Sequence, residues 1–146
     1  MTDYVNEQDV MERRFSVPYN WCVKESARMW RQKNGLWELA RGLSGDLKGK
    51  AVLDAGCGDG WYTARMSKES NTVTGIDYSE RAIAFAKAIN PHATFLAGSI
   101  TKLPFPDATF DVIFSFQVLE HIPLVELPSA IAELSRVLKP DGTFIA

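Results

Sequence analysis

Apolar and polar positions follow two different periods along this chain. From residue 51 onward, short apolar runs (Ala51-Val52-Leu53, Thr72-Val73-Thr74-Gly75-Ile76, Phe110-Asp111-Val112-Ile113-Phe114) alternate with longer stretches at helical spacing. Short runs rich in β-branched and aromatic residues, bounded by turn formers, read as buried strands. The pattern predicts strands near 51–55, 72–77, 93–97, 110–116 and 142–146, and helices near 61–69, 79–89 and 125–138. In the last helix Leu127, Ile131, Leu134 and Leu138 share one stripe, the face a helix turns toward a sheet. Ser79 is a suitable N-cap for the middle helix. Strands and helices in alternation imply an α/β fold, doubly wound around a mostly parallel sheet of about five strands.

The first 50 residues break this rhythm. Residues 1–12 are polar and read as disordered. Val23, Ala27, Trp30, Asn34, Trp37 and Arg41 recur at intervals of four and three, which predicts a helix with an aromatic stripe, weakened by Gly35. Gly42, Gly45 and Gly49 mark a loop into the first strand. Two units follow: an N-terminal extension or helical lid over 1–50 and a nucleotide-binding core over 51–146.

Charge divides the same way. The chain of 146 residues carries net charge −2. Residues 1–50 hold 9 Lys/Arg against 7 Asp/Glu, and residues 51–146 hold 7 against 11. The acidic balance therefore belongs to the core and argues against bulk attraction to nucleic acid. Arginines and tryptophans interleave between Arg13 and Trp37, a pattern that can stack and neutralise single-stranded RNA. Tryptophans packed on a sheet with solvated arginines are the commoner outcome, so a small-molecule partner ranks ahead of nucleic acid. Two cysteines are too few for a disulfide framework and read as reduced thiols. The N-terminus lacks an apolar signal segment and no stretch approaches a membrane span, so the expected location is cytoplasmic.

The chemistry concentrates in Val52-Leu53-Asp54-Ala55-Gly56-Cys57-Gly58-Asp59-Gly60. A strand, a glycine-rich turn and a helix start together make a nucleotide-type site. The spacing is G-x-G-x-G, with acids at Asp54 and Asp59, whereas the dinucleotide fingerprint is G-x-G-x-x-G. Two carboxylates would repel a pyrophosphate at close range. They suit a cationic nucleoside such as S-adenosylmethionine, which has a sulfonium and an ammonium and no phosphate. Asp77 ends the second strand 21 residues after Gly56. An acid so placed accepts hydrogen bonds from ribose hydroxyls.

With these segments in view, the chain resembles the class I S-adenosylmethionine-dependent methyltransferases. The matching motifs are VLDAGCGDG at 52–60, GIDYS at 75–79, LPFPDATFDVIFSFQVLEHI at 103–122 and RVLKPDGTFIA at 136–146, and the stretch they span is about two thirds of the chain. The resemblance implies a Rossmann-like fold, S-adenosylmethionine as cofactor, and methyl transfer to an O, N or C nucleophile. It implies that Gly56, Gly58 and Gly60 pass close to the methionine moiety and that Asp77 holds the ribose. Asp54 orients the loop or the ammonium, or else caps the following helix. Tyr78 stacks on adenine or packs in the core. Ser99, where relatives commonly carry an acid, bonds the adenine amino group or caps a turn, with Ile100 beside it. Ser115, Phe116 and Gln117 lie at the end of the fourth strand, near the transferred methyl.

Gln117 to His121 is similar to the E-x-x-E-H string with which some O-methyltransferases hold a divalent metal. Gln117 replaces the first acid, and an amide is a poorer ligand for a hard cation, so no metal is expected. His121, with Glu120, is the candidate general base; the alternative is that both hydrogen-bond the loop into shape. The resembling family continues with a further helix and two strands, so the sheet is expected to be incomplete at its C-terminus. That expectation reads the chain as a fragment, or has a partner chain, a second copy or a rearranged N-terminal segment cover the edge of the fifth strand.

Overall fold

The computed structural model describes residues 12–22 and 27–146. The expected disorder of residues 1–12, Glu12 apart, and the place of Val23 in the helical stripe fall outside them. Five strands run in chain order: β1 (Ala51–Ala55), β2 (Thr72–Asp77), β3 (Thr94–Ala97), β4 (Phe110–Phe114) and β5 (Leu138–Ile145). They form one sheet in the order β3-β2-β1-β4-β5. Every pairing is parallel. The order reverses between β1 and β4. In such a sheet the ligand crevice lies at that switch point, outside the carboxyl ends of the strands.

Among the described residues the helices of four residues or more are α1 (Tyr19–Cys22), α2 (Ala27–Ser44), α3 (Thr63–Met66), α4 (Glu80–Ile89) and α5 (Leu127–Val137). On one face Trp37 and Ala40 of α2, with Leu47 and Met66, pack on Val52, Val73, Val112 and Phe114. On the other, Ala130, Leu134 and Val137 of α5 pack on Leu53, Ala55, Phe110 and Ile113. Val52 and Leu53 of β1, like Val112 and Ile113 of β4, thus feed opposite layers, and both strands carry apolar residues on both faces. A small third cluster joins Ile83 and Ala86 of α4 to Phe95 and Cys57. Ser79 caps α4 by accepting from the Ala82 N–H at 3.1 Å.

Two elements depart from the sequence pattern. The helix expected over 61–69 contracts to the four residues of α3, flanked by turns. β5 starts at Leu138, earlier than the expected 142. Leu138 pairs with Phe110 and Thr143 with Val112, so the four residues Lys139–Gly142 stand opposite Asp111 alone and form a bulge. The bulge explains how Pro140 is accommodated, since a proline cannot donate to the ladder. Lys139 ties the bulge back to Asp111 at 2.8 Å, and the other Asp111 oxygen accepts the Ala51 N–H at 2.8 Å. β5 and β3 are the two sheet edges. Among the described residues no helix is long and apolar enough to cross a membrane.

Candidate cofactor site

The turn after β1 is pinned by backbone bonds to the end of β2. The N–H groups of Gly56 and Cys57 both donate to the Ile76 carbonyl, at 2.8 and 3.0 Å. This requires a left-handed backbone, and Gly56, Gly58 and Gly60 have φ of 84°, 54° and 80°. Side chains are strained there and glycine is not.

Each glycine also answers to a different neighbour. A Cβ on Gly56 would stand 2.2 Å from Val118 Cγ2, beyond the end of β4. One on Gly60 would crowd Ala86 and Phe95 at 3.1 and 3.3 Å, so Gly60 serves the packing of α4 and β3. One on Gly58 would meet the ring of Phe15 at 3.2 Å.

Asp77 is the hub. Its Oδ2 accepts the Gly58 N–H at 2.8 Å and its Oδ1 the Ser79 N–H at 2.9 Å. Its own carbonyl accepts the Gly98 N–H at 2.9 Å, which ties in the end of β3. Burial pushes the carboxyl above the usual carboxylate range, and the two amide bonds oppose that shift. A carboxylate offers about four lone-pair sites. Two are used, and one on each oxygen is left for a diol.

Asp54 is fully buried and accepts the Thr63 hydroxyl at 2.6 Å. Its carboxyl is pushed up to about 7, first by burial, while the Thr63 bond lowers it and the charge of Asp77 raises it. It thereby holds the Thr63 side chain at the start of α3. Asp59 is also inaccessible to solvent; its oxygens accept the Asn20 N–H at 2.6 Å and the Asn20 Nδ2–H at 2.7 Å. Burial raises its pKa as well. Cys57 is buried, and burial holds its thiol well above its ordinary range, so it is not a nucleophile here.

Three acids gather around one turn, Asp54 and Asp59 buried beneath it and Asp77 with acceptor capacity left for a diol. The residues fit an adenosyl sulfonium: Asp77 would hold the ribose, and the field of Asp54, Asp59 and Asp77 favours the cationic methionine moiety.

The other candidates distribute unevenly. Tyr78 is half exposed directly after Asp77. Ser99 pairs with the Thr101 hydroxyl at 2.8 Å and accepts its N–H at 3.1 Å, as a turn cap does. Ile100 is buried in the α5-side cluster. Ser115 donates to the Ala55 carbonyl at 3.1 Å, binding the end of β4 to β1. Phe116 is stacked between Tyr62 and Phe114, with centroids at 4.2 and 5.6 Å, on the α2 face of the sheet. Gln117 follows with φ of 55°, rare for a side chain of its size and a mark of a strained, over-determined position. Glu120 and His121 lie exposed on a 3₁₀ turn, Leu119–His121, and among the described residues neither side chain has a hydrogen-bond partner. Among the described residues no group of His, Cys, Asp and Glu is placed to hold a metal.

Sequence reasoning did not find the pairing of Asp59 with Asn20, nor Val118 over Gly56. Both are contacts between distant segments and leave no local pattern. Gln117 had been placed by position alone, and its backbone conformation was not legible.

Residues 53–146 match the methyltransferase domain family. The chain belongs to that family. A probable S-adenosylmethionine-dependent methyltransferase of Mycolicibacterium smegmatis is 38% identical over 97 residues, covering 66% of this chain and 37% of the relative. A malonyl-[acyl-carrier protein] O-methyltransferase of Erwinia pyrifoliae is 41% identical over 91 residues, covering 62% and 34%. The crystal structure of the PH0226 protein from Pyrococcus horikoshii superposes with TM-score 0.77 at 28% identity, covering 92% of this chain and 64% of that one. The chain thus spans about a third of the length of these curated relatives. S-adenosylmethionine is the cofactor this family implies.

Proposed function

We propose that this domain transfers a methyl group from S-adenosylmethionine to an O, N or C nucleophile of a small-molecule acceptor. The observation that carries the reading is Asp77: a carboxylate fixed by two backbone amides at the switch point of a parallel sheet, with acceptor capacity left for a ribose diol. The bound cofactor supplies an already activated methyl group. The chain's own residues have to orient the acceptor in line with the S–CH₃ bond and keep water out, and such positioning is worth roughly 7–11 kcal/mol. No nucleophilic side chain is required. Tyr78 offers a stacking face for adenine. Gln117, held in its strained conformation after β4, and the residues following it present the acceptor. His121, with Glu120, is the group in that turn able to take a proton from a hydroxyl or amine acceptor. The Erwinia relative makes a malonyl thioester the first acceptor to try.

A second reading, a module that binds the cofactor without turnover, is favoured by the exposure of His121, which no neighbour orients. Calorimetry with S-adenosylhomocysteine and with NADH tests the cofactor: binding of the first is expected, and binding of NADH alone would overturn both readings. Methyl transfer from labelled cofactor to a panel of small acceptors separates enzyme from module.

A further inference from the structure

We infer that residues 12–21 form a strap latched across the glycine turn by Asp59, and that this strap must lift for the cofactor to reach Gly58. The inference rests on the cofactor reading above. Three anchors carry it. At one end the Glu12 carbonyl accepts from Arg81 Nη1 at 2.9 Å and the Glu12 carboxylate lies 3.6 Å from Arg81 Nε, in the first turn of α4. In the middle Phe15 is buried, yet it joins none of the apolar clusters of the sheet; its ring rests on Gly58. At the other end Asn20 gives both its backbone and side-chain N–H to the two Asp59 oxygens, and Trp21 Nε1 donates to the Asp59 carbonyl at 3.1 Å. Lys33 of α2 braces the latch by donating to Asn20 Oδ1 at 2.5 Å.

The location gives the strap its function. Gly58 is the residue whose N–H holds Asp77, and its open side, where a ligand could approach the backbone, is filled by the Phe15 ring. A ligand seated against Gly58 and Asp77 has to displace or slip beneath that ring. With the strap closed Asp59 does not offer its carboxylate to a ligand, because its side chain is inaccessible to solvent and both oxygens bond Asn20. Asp59 and Asn20 are therefore positioning residues that act through Phe15 and the strap backbone. Their bonds are to a charged acceptor, the strong kind. They are nevertheless few, which suits a segment that opens on its own without unfolding the sheet.

Trypsin reads the latch directly, since Arg13 and Arg14 are exposed within the strap and Lys48 is exposed in the α2–β1 loop as an internal reference. In the free protein, Asn20→Ala and Asp59→Asn should each speed cleavage after Arg13 and Arg14, relative to Lys48, by about tenfold, the loss of one charge-assisted bond. The association rate of S-adenosylhomocysteine, followed by tryptophan fluorescence in stopped flow, should rise by a similar factor. The melting temperature of Asn20→Ala should stay close to that of the unaltered protein, because Asn20 lies outside the core. Asn20→Ala leaves the glycine turn itself untouched and keeps the test valid if Asp59→Asn misfolds. Unchanged cleavage in Asn20→Ala overturns the latch. Faster cleavage with an unchanged association rate overturns the gate. Failure of the unaltered protein to bind S-adenosylhomocysteine overturns the cofactor reading, and this inference with it.

Discussion

Around Arg136 carboxylates face a cation, whereas around the glycine turn Asp54 and Asp77 face amides and hydroxyls. Arg136 spends its guanidinium on Glu133 (2.7 and 2.9 Å), Asp107 (2.8 Å) and the carbonyls of Phe105 and Leu103 (2.8 and 3.1 Å). Glu133 in turn accepts the Leu103 N–H at 2.6 Å. The segment 103–107 is thereby clamped onto α5. The Arg136 bond holds the Glu133 carboxyl down at about 2. At the glycine turn burial pushes Asp54, Asp59 and Asp77 up. The clamp is electrostatically complete and needs nothing further. The turn has gathered three acids whose charged forms burial disfavours, a pattern that clusters at functional sites.

The largest effect expected from this contrast is in pH dependence. Asp54 titrates near 7 when folded against 3.8 as its ordinary value, so between about pH 4 and 7 the folded state holds a proton that the unfolded state has lost. Stability from this group is greatest below pH 4 and falls as pH rises toward 7, by on the order of a few kcal/mol. Glu133 has the opposite slope: its contribution is present above its ordinary 4.5 and is lost as pH falls toward 2. Denaturant melts across pH 2–8 should show Asp54→Asn flattening the upper slope and leaving the acid limb intact. If the two profiles coincide, the turn is not the strained region.

Next in size, Asp77→Ala should weaken S-adenosylhomocysteine binding by roughly 100-fold, the loss of about two charge-assisted hydrogen bonds. Calorimetry on the folded variant checks it, and equal affinity would dissolve the distinction between site and clamp. Arg136→Lys should do the reverse. A lysine cannot reproduce the fork, so thermal melting should drop by several degrees while cofactor affinity holds. Smallest is Gln117→Gly. Relief of the left-handed strain should raise stability by about 1 kcal/mol and lower methyl transfer, which a melting curve and a labelled-methyl assay read separately. A gain in both would assign Gln117 no part in presenting the acceptor.

Much of the site was legible before the fold. The G-x-G-x-G spacing after an apolar strand, and an acid 21 residues on, placed Gly56, Gly58 and Asp77 together. β1 and β2 are parallel and in register from Ala51↔Thr72, which sets both ends side by side as that spacing requires. Gly60 and Asp54 were legible as residues, but their partners were not: Gly60 faces Ala86 and Phe95, and Asp54 faces Thr63. The early start of β5 escaped notice because Leu138 ends a helical stripe in the sequence and becomes a strand residue only by pairing with Phe110.

The linear order of apolar runs, glycines and acids determined the sheet, its sequence of strands and helices, and the meeting of the glycine turn with Asp77, because these depend on periods of two to four residues and on one local turn. Tertiary structure alone decided that Asn20 meets Asp59 across 39 positions, that Arg136 reaches back 29 to Asp107, and that Phe15 rests on Gly58. Such meetings depend on how the packed layers align, and no local period encodes them.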